Sequence, residues 1–339
     1  MGLILIIKFR SVKRISEEFS IRDQSALNHF ITDSVWEHRQ LILRSQEIVR
    51  VALGSKPLQL VIDDTALERR GSKIECTGVH YGSNRLVKGH CLVSAAVISG
   101  KRRYMWDCRG YAPKGASAAC RFKSKVRIAV EIIEESEFEA GDVTVMVDCW
   151  YTNRDVAGAV KARGWRFLAG VKKNRIVYVR GRRSRVSNLA KGQRKYEKVK
   201  CGRHVFRAAR VLAFIPGIGE VSVFVVKSGS LGTRYLICSD TELSAREAVL
   251  MYAKRFWIET QFREVKQHFG LGEMFIRKWR GAQKHWALVM VAYNVTQMLR
   301  YSARGKRFET VGAVLRRLRD EFSRVDVKRF TAVIAAKAA

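Results

Sequence analysis

Apolar positions recur at helical period through Ile15, Phe19, Leu27, Phe30, Ile31, Trp36, Leu41, Leu43 and Val49, which predicts a helical segment over residues 11–53. The pattern then changes. Leu58 to Ile62 is a short unbroken apolar run, read as a buried strand that ends on Asp63-Asp64-Thr65. Residues 91–98 and 103–108 read as two more strands, joined by a tight turn at Gly100-Lys101-Arg102. A helix over 122–139 precedes a second buried run, Val143 to Val147, which stops at Asp148. A helix over 153–163 follows, with Gly164 in the place of a C-cap, and Trp165 to Val171 makes another strand.

From Lys172 to Gly232 β-branched residues alternate with basic ones, and Pro216-Gly217-Ile218-Gly219 marks a hairpin. Tyr235 to Cys238 is read as a last strand, followed by helices at 243–270 and 281–303. Strands alternating with helices and then a β-rich stretch give an α/β fold with a mixed sheet. The expected organisation is an N-terminal helical segment (1–55), a core from 56–171 with 233–305, a β-rich insertion (172–232) and a basic C-terminal helical tail (306–339).

The expected helix at 243–270 carries the most chemistry. Tyr252, Arg255, Glu259 and Lys266 fall within a stripe about 60° wide at 100° per residue. Met251, Ile258, Phe262, Val265 and Phe269 form the neighbouring, core-facing arc. One acid is thus presented among phosphate-binding groups beside a packed face. Arg263 is four residues beyond Glu259, either as its ion-pair partner or as a further phosphate contact.

Charge narrows the partner. Lys and Arg total 64 against 31 acidic residues, a net charge of +33 in 339 residues. Such an excess repels itself unless a polyanion is bound, and nucleic acid leads that class. The runs at 172–185 and 191–203 include Lys172, Lys173, Arg175, Arg182 and Arg183, read as phosphate-tracking or as a solvated hairpin face. Arg277, Lys278, Arg280 and Lys284 read equally well as a DNA-facing turn or a solvated helix start. Seven cysteines without a CxxC pair argue for reduced thiols and against a zinc ribbon or disulfide frame. The apolar start, Met1 to Ile7, is too short for a signal sequence, and no run reaches membrane-spanning length. A soluble protein of the cytoplasm is expected.

Phosphodiester chemistry without a protein nucleophile needs a deprotonated attacking oxygen and a neutralised leaving oxygen, which two Mg²⁺ ions can supply. Mg²⁺ takes hard oxygen ligands and keeps several waters, so a few carboxylates on rigid elements suffice. Asp63, Asp148 and Glu259 stand in such places. Each has a plainer reading: an Asp at a strand end is a common turn former, and a Glu on a basic helix a common ion-pair partner. The residues alone leave both open. Trp150 and Trp257, near these acids, are expected to pack beneath the site, with base stacking as the lesser reading. Cys76, His80, His90 and Cys91 match no zinc spacing and are read as structural or surface residues.

Tyr252-x2-Arg255-x3-Glu259-x6-Lys266 resembles the YREK signature of DDE transposases of bacterial insertion sequences, the insertion sequence four group. Asp63-Asp64-Thr65 is similar to that family's first acidic motif, Asp-x-Thr after an apolar strand. Asp148-Cys-Trp-Tyr151 is similar to the second, and 172–232 to its β insertion. The resemblance covers residues 58–303. It implies a ribonuclease H-like fold, cut-and-paste transposition on two Mg²⁺ ions (Mn²⁺ substituting), and Asp63, Asp148 and Glu259 as metal ligands. The Asp-x-Thr pattern favours Asp63, with Asp64 as the alternative. Tyr252, Arg255 and Lys266 are implied to hold phosphates. Double-stranded DNA, as terminal inverted repeats and target, is the implied partner of a homodimer at the bacterial nucleoid. A non-catalytic DNA-binding derivative and a ribonuclease H-like nuclease or resolvase are the alternatives.

Overall fold

The computed structural model describes residues 2–6, 11–19, 23–82, 85–116, 118, 120–229, 232–273, 275–302 and 310–323. Four helices open the chain: α1 (Gly2–Leu5), α2 (Val12–Phe19), α3 (Gln24–Thr32) and α4 (His38–Leu53). Asp23 caps α3 by accepting from the Ala26 amide at 2.6 Å. β1 (Leu58–Glu68) is followed by β2 (Gly78–Tyr81), β3 (Leu86–Ser99) and β4 (Arg102–Tyr111). Then come α5 (Lys125–Glu134), β5 (Val143–Val147), α6 (Arg154–Ala162) and β6 (Arg166–Gly170). Across the basic stretch run β7 (Ile176–Val179), β8 (Arg182–Arg185), α7 (Val186–Gly192), β9 (Glu197–Cys201), β10 (His204–Ile215) and β11 (Gly219–Ser228). The chain closes with β12 (Gly232–Cys238), α8 (Ala245–Ala253), α9 (Phe256–Phe269), α10 (Trp279–Ser302) and α11 (Val311–Ser323).

Among the described residues twelve strands join one sheet, in the order β2-β3-β1-β5-β6-β12-β11-β10-β7-β8, with β4 on β3 and β9 on β10. The β1–β5 and β5–β6 pairs are parallel; the other described pairs are antiparallel. The α/β class with a mixed sheet flanked by helices is therefore as expected. The strands of 172–232 continue that sheet, since β11 pairs β12 and β12 pairs β6.

Alternation along the parallel strands sorts the core. Leu60, Ile62, Val145 and Val147 point to the side of α5 and α6 and pack with Ile128, Ile132 and Val156. Val61 and Met146 point the other way and pack with Ala248, Val249, Ile258 and Phe262 of α8 and α9. Each such buried side chain contributes about 1.5–3 kcal/mol. By the same alternation Asp63 and Asp148 emerge on the α8–α9 side and Asp64 on the α5–α6 side.

Several expectations are corrected. β1 does not end at Ile62. Its pairing with β5 ends there, while Asp63 to Glu68 stay paired to β3, from Ser94 to Gly89. The polar residues that looked like a strand end are still in the ladder with one neighbour. Residues 243–270 are two helices, because α8 stops at Ala253 and α9 begins at Phe256. The basic stretch contains a helix, α7, that alternation alone did not indicate. Lys278, Arg280 and Lys284 are spent inside the molecule: they donate to Asp33 at 2.7 Å, Glu37 at 2.7 Å and the Ser34 carbonyl at 2.6 Å. These contacts fasten α10 to the N-terminal helices. Cys76 and Cys120 form a disulfide, with Cα atoms 6.3 Å apart, where unpaired thiols were expected. Their separation of 44 residues gives no spacing signal. The expected C-terminal tail is represented by α11; residues 303–309 and 324–339 lie outside the described residues. Among the described residues no helix is long and apolar enough to cross a membrane.

Candidate active site

The C-terminal ends of parallel strands are where open α/β sheets place their ligands. Ile62 lies opposite Val147 in the β1–β5 ladder, so the next residues, Asp63 and Asp148, are neighbours. The turn after β5 is tied down by Asp148 itself: its Oδ1 accepts the amides of Trp150 at 2.8 Å and Tyr151 at 3.2 Å. Thr152 then donates its hydroxyl to the Asp148 carbonyl at 2.9 Å and to the Gly170 carbonyl at 2.6 Å.

Glu259 reaches the same place from α9. The bridge is Arg255, which donates to Asp63 Oδ2 at 2.9 Å and to Glu259 Oε1 at 2.6 Å. The break between α8 and α9 makes this reach. The amides of Lys254, Arg255, Trp257 and Ile258 donate to carbonyls three residues back, at 2.9–3.1 Å. One tight turn replaces regular α winding. Tyr252, ahead of that turn, does not face outward beside Glu259; its hydroxyl donates to the Val147 carbonyl at 3.2 Å. A Cβ at position 170 would lie 2.7 Å from that hydroxyl, so Gly170 leaves the room the phenol needs.

The electrostatics are unequal. Burial pushes the Asp63 carboxyl up to about 7; Arg255 opposes this, and Asp148 adds to it. Burial opposes the Arg255 charge, but Tyr252, Asp63 and Glu259 outweigh it and hold its pKa above the ordinary value. Burial also raises the Tyr252 phenol to about 12, which keeps it a donor. Next door, Asp64 is fully engaged. It accepts from Lys125 Nζ at 2.7 Å and from the Tyr151 hydroxyl at 2.9 Å, and the Cys91 thiol donates to it at 3.4 Å.

The donor set suits a hard divalent cation: three carboxylates, with one cation, Arg255, held between two of them. The expected tight cluster of three is not formed, however. Among the described residues no group of three or more His, Cys, Asp or Glu stands close enough to hold a metal ion. Arg255 stands between Asp63 and Glu259, hydrogen-bonded to both.

The other expected contacts are more dispersed. Lys266 donates to the Ala66 carbonyl at 2.9 Å, over the far part of β1. Arg263 is exposed on α9, and Glu259 pairs with Arg255 and not with it. Lys172 and Arg175 line a cleft of about 540 Å³ beside Asp148, together with Cys149, Trp150, Thr152 and Asn174. Lys173 is exposed in the same turn, while Arg182 and Arg183 are exposed on β8, the last strand of the sheet order. Trp150 (54% exposed) and Trp257 (42%) do not pack beneath the site as expected. Trp257 carries the Arg103 guanidinium 4.1 Å from its ring centroid, and Trp150 has Lys125 at 5.6 Å. Phe256 is also exposed. The signal for Phe256 and Trp257 was the helical period itself, which puts both outside the arc of Met251, Ile258, Phe262, Val265 and Phe269.

The mixed sheet, the acids at its parallel strand ends and the net charge of +33 define a strongly basic α/β protein. Residues 55–295 match the family model described as the transposase DDE domain, and the chain belongs to that family. It is also similar to the probable transposase for insertion sequence element IS701 of Microchaete diplosiphon. The two are 20% identical over 283 residues, covering 80% of this chain and 73% of the relative.

Proposed function

We propose that this chain cuts the ends of a DNA element and joins the freed 3′-hydroxyls to target DNA, on a ribonuclease H-like core of the insertion sequence four type. Asp63, Asp148 and Glu259 are the residues that would hold the divalent cations, Mg²⁺ or Mn²⁺. Those ions, when bound, lower the pKa of the attacking water or hydroxyl and neutralise charge on the leaving oxygen. The observation that carries this reading is the meeting of distant acids on one face: Asp63 beside Asp148 by register, and Glu259 joined to Asp63 through Arg255.

The chain's own side chains do the rest. Asp63 is buried with an acid neighbour and one shared arginine, so its negative charge is undercompensated and favours added cations. Arg255 holds the two carboxylates in the absence of DNA and is placed to turn its guanidinium to a phosphate oxygen. Tyr252 fixes the β5 end against α8. Lys266 and the Lys172–Arg175 turn lie on either side of the acids, where a duplex backbone runs past. Positioning and charge neutralisation lower the barrier, without a protein nucleophile. Two copies, each holding one end, form the working assembly, and the bound DNA offsets their mutual repulsion.

The test is a nicking assay on element-end DNA with Mg²⁺. Wild-type protein is expected to cut, and Glu259→Gln to bind the same DNA without cutting. Nicking by Glu259→Gln at the wild-type rate would refute the assignment.

A further inference from the structure

We infer that Tyr151 and Asp64 are positioning residues for the metal-holding pair, forming a brace that sets the spacing of Asp63 and Asp148. The inference rests on the proposed assignment of those two acids. Tyr151 is fully buried, and its hydroxyl donates to Asp64 Oδ1 at 2.9 Å. Its amide, at the other end of the residue, donates to Asp148 Oδ1 at 3.2 Å. One residue, through its hydroxyl at one end and its backbone amide at the other, therefore links the residue after Asp63 to the carboxylate of Asp148. Lys125, at the start of α5, donates to the other Asp64 oxygen at 2.7 Å and holds that carboxylate in place. On its far side the same turn is fastened by Thr152 to the Gly170 carbonyl of β6 at 2.6 Å.

The brace acts where the ladder stops. Parallel pairing between β1 and β5 ends at Ile62 and Val147, so Asp63 and Asp148 are not themselves a ladder pair. Two carboxylates that repel each other would splay there. Tyr151 spans that gap from the opposite face of the sheet, without occupying the side on which cations and DNA are expected. Partners that orient metal ligands are typically worth about 10–100-fold in metal affinity.

Tyr151→Phe changes no charge and removes only the hydroxyl. Mn²⁺ binding to the whole chain, followed by electron paramagnetic resonance, is expected to weaken about tenfold. In end-DNA cleavage the metal concentration for half-maximal rate should rise by a similar factor, with the rate at saturating metal close to wild type. Thr152→Val should act in the same direction and Thr152→Ser should restore it, which keeps the inference testable if Tyr151→Phe folds poorly. Wild-type Mn²⁺ affinity in folded Tyr151→Phe, or in Thr152→Val should the first variant not fold, overturns the brace. Asp63→Asn separates the two levels. If it loses Mn²⁺ while Tyr151→Phe keeps it, the brace alone fails; if it keeps Mn²⁺, the assignment of the acids fails.

Discussion

Asp63 and Asp64 are adjacent, identical in chemistry and opposite in setting. Strand alternation sends one to the α8–α9 side and the other to the α5–α6 side. Asp64 has a lysine and a phenol on its two oxygens, so its charge is matched within the fold. Asp63 shares one arginine with Glu259 and faces Asp148, and burial raises its pKa to about 7. Asp63 also has a partner on each oxygen, the Asp64 amide at 2.9 Å and Arg255 at 2.9 Å, but its one cation is shared; under the proposed assignment a bound cation would complete the balance that Asp64 already has. Perturbed groups such as Asp63 are where function concentrates.

The strongest way to break this contrast is on the Asp63 side. Asp63→Asn and Glu259→Gln should each lower Mg²⁺-dependent nicking by at least about 100-fold, since a ligand outweighs the partners that orient it. Gel-shift affinity for end DNA should hold near wild type in both. Activity surviving in either variant would remove the contrast.

Stability gives the next largest effect, with opposite signs at the two positions. Asp64→Asn strands Lys125 without its charge partner and should destabilise the fold by about 3 kcal/mol. Asp63→Asn should do the reverse at high pH. The Asp63 pKa is raised from 3.8 to about 7, so the native chain holds a proton that the unfolded chain releases. Its stabilising contribution is complete below about pH 4 and is lost as pH rises through 7. Asp63→Asn should therefore melt higher than wild type at pH 8 and equally at pH 3.5. Thermal melts of both variants across pH, without metal, decide the point.

A smaller effect concerns the flanking cations. Lys266→Ala should weaken end binding and reduce the slope of log affinity against log salt by about one unit. The exposed Arg182 and Arg183, out on β8, should each change that slope by less than Lys266 if the DNA runs along the acids. A salt titration of the three variants ranks them.

Part of this contrast was legible before any fold was known. The two apolar runs, 58–62 and 143–147, located the acids because a buried parallel strand has to be continuous in apolar residues. Period-2 alternation gives Asp63 and Asp64 opposite faces only if β1 runs past Ile62, and the apolar run that marks the strand stops there. The helix of 243–270 misled for another reason. Its apolar positions keep helical period through Lys254 and Arg255, and a single turn with hydrogen bonds three residues back leaves no mark in composition. That turn decides where Tyr252 and Arg255 point. The basic cluster at 277–284 was ambiguous because its partners, Asp33, Ser34 and Glu37, lie far away along the chain. The same holds for the Cys76–Cys120 pair.

Mn²⁺ affinity measured side by side for wild type, Asp63→Asn and Asp64→Asn weighs the two neighbours directly. Asp63→Asn should lose at least about 100-fold, and Asp64→Asn, which disturbs only the brace, about tenfold or less. The opposite order, with Asp64→Asn losing the ion and Asp63→Asn keeping it, would mean that the wrong aspartate has been assigned to the metal.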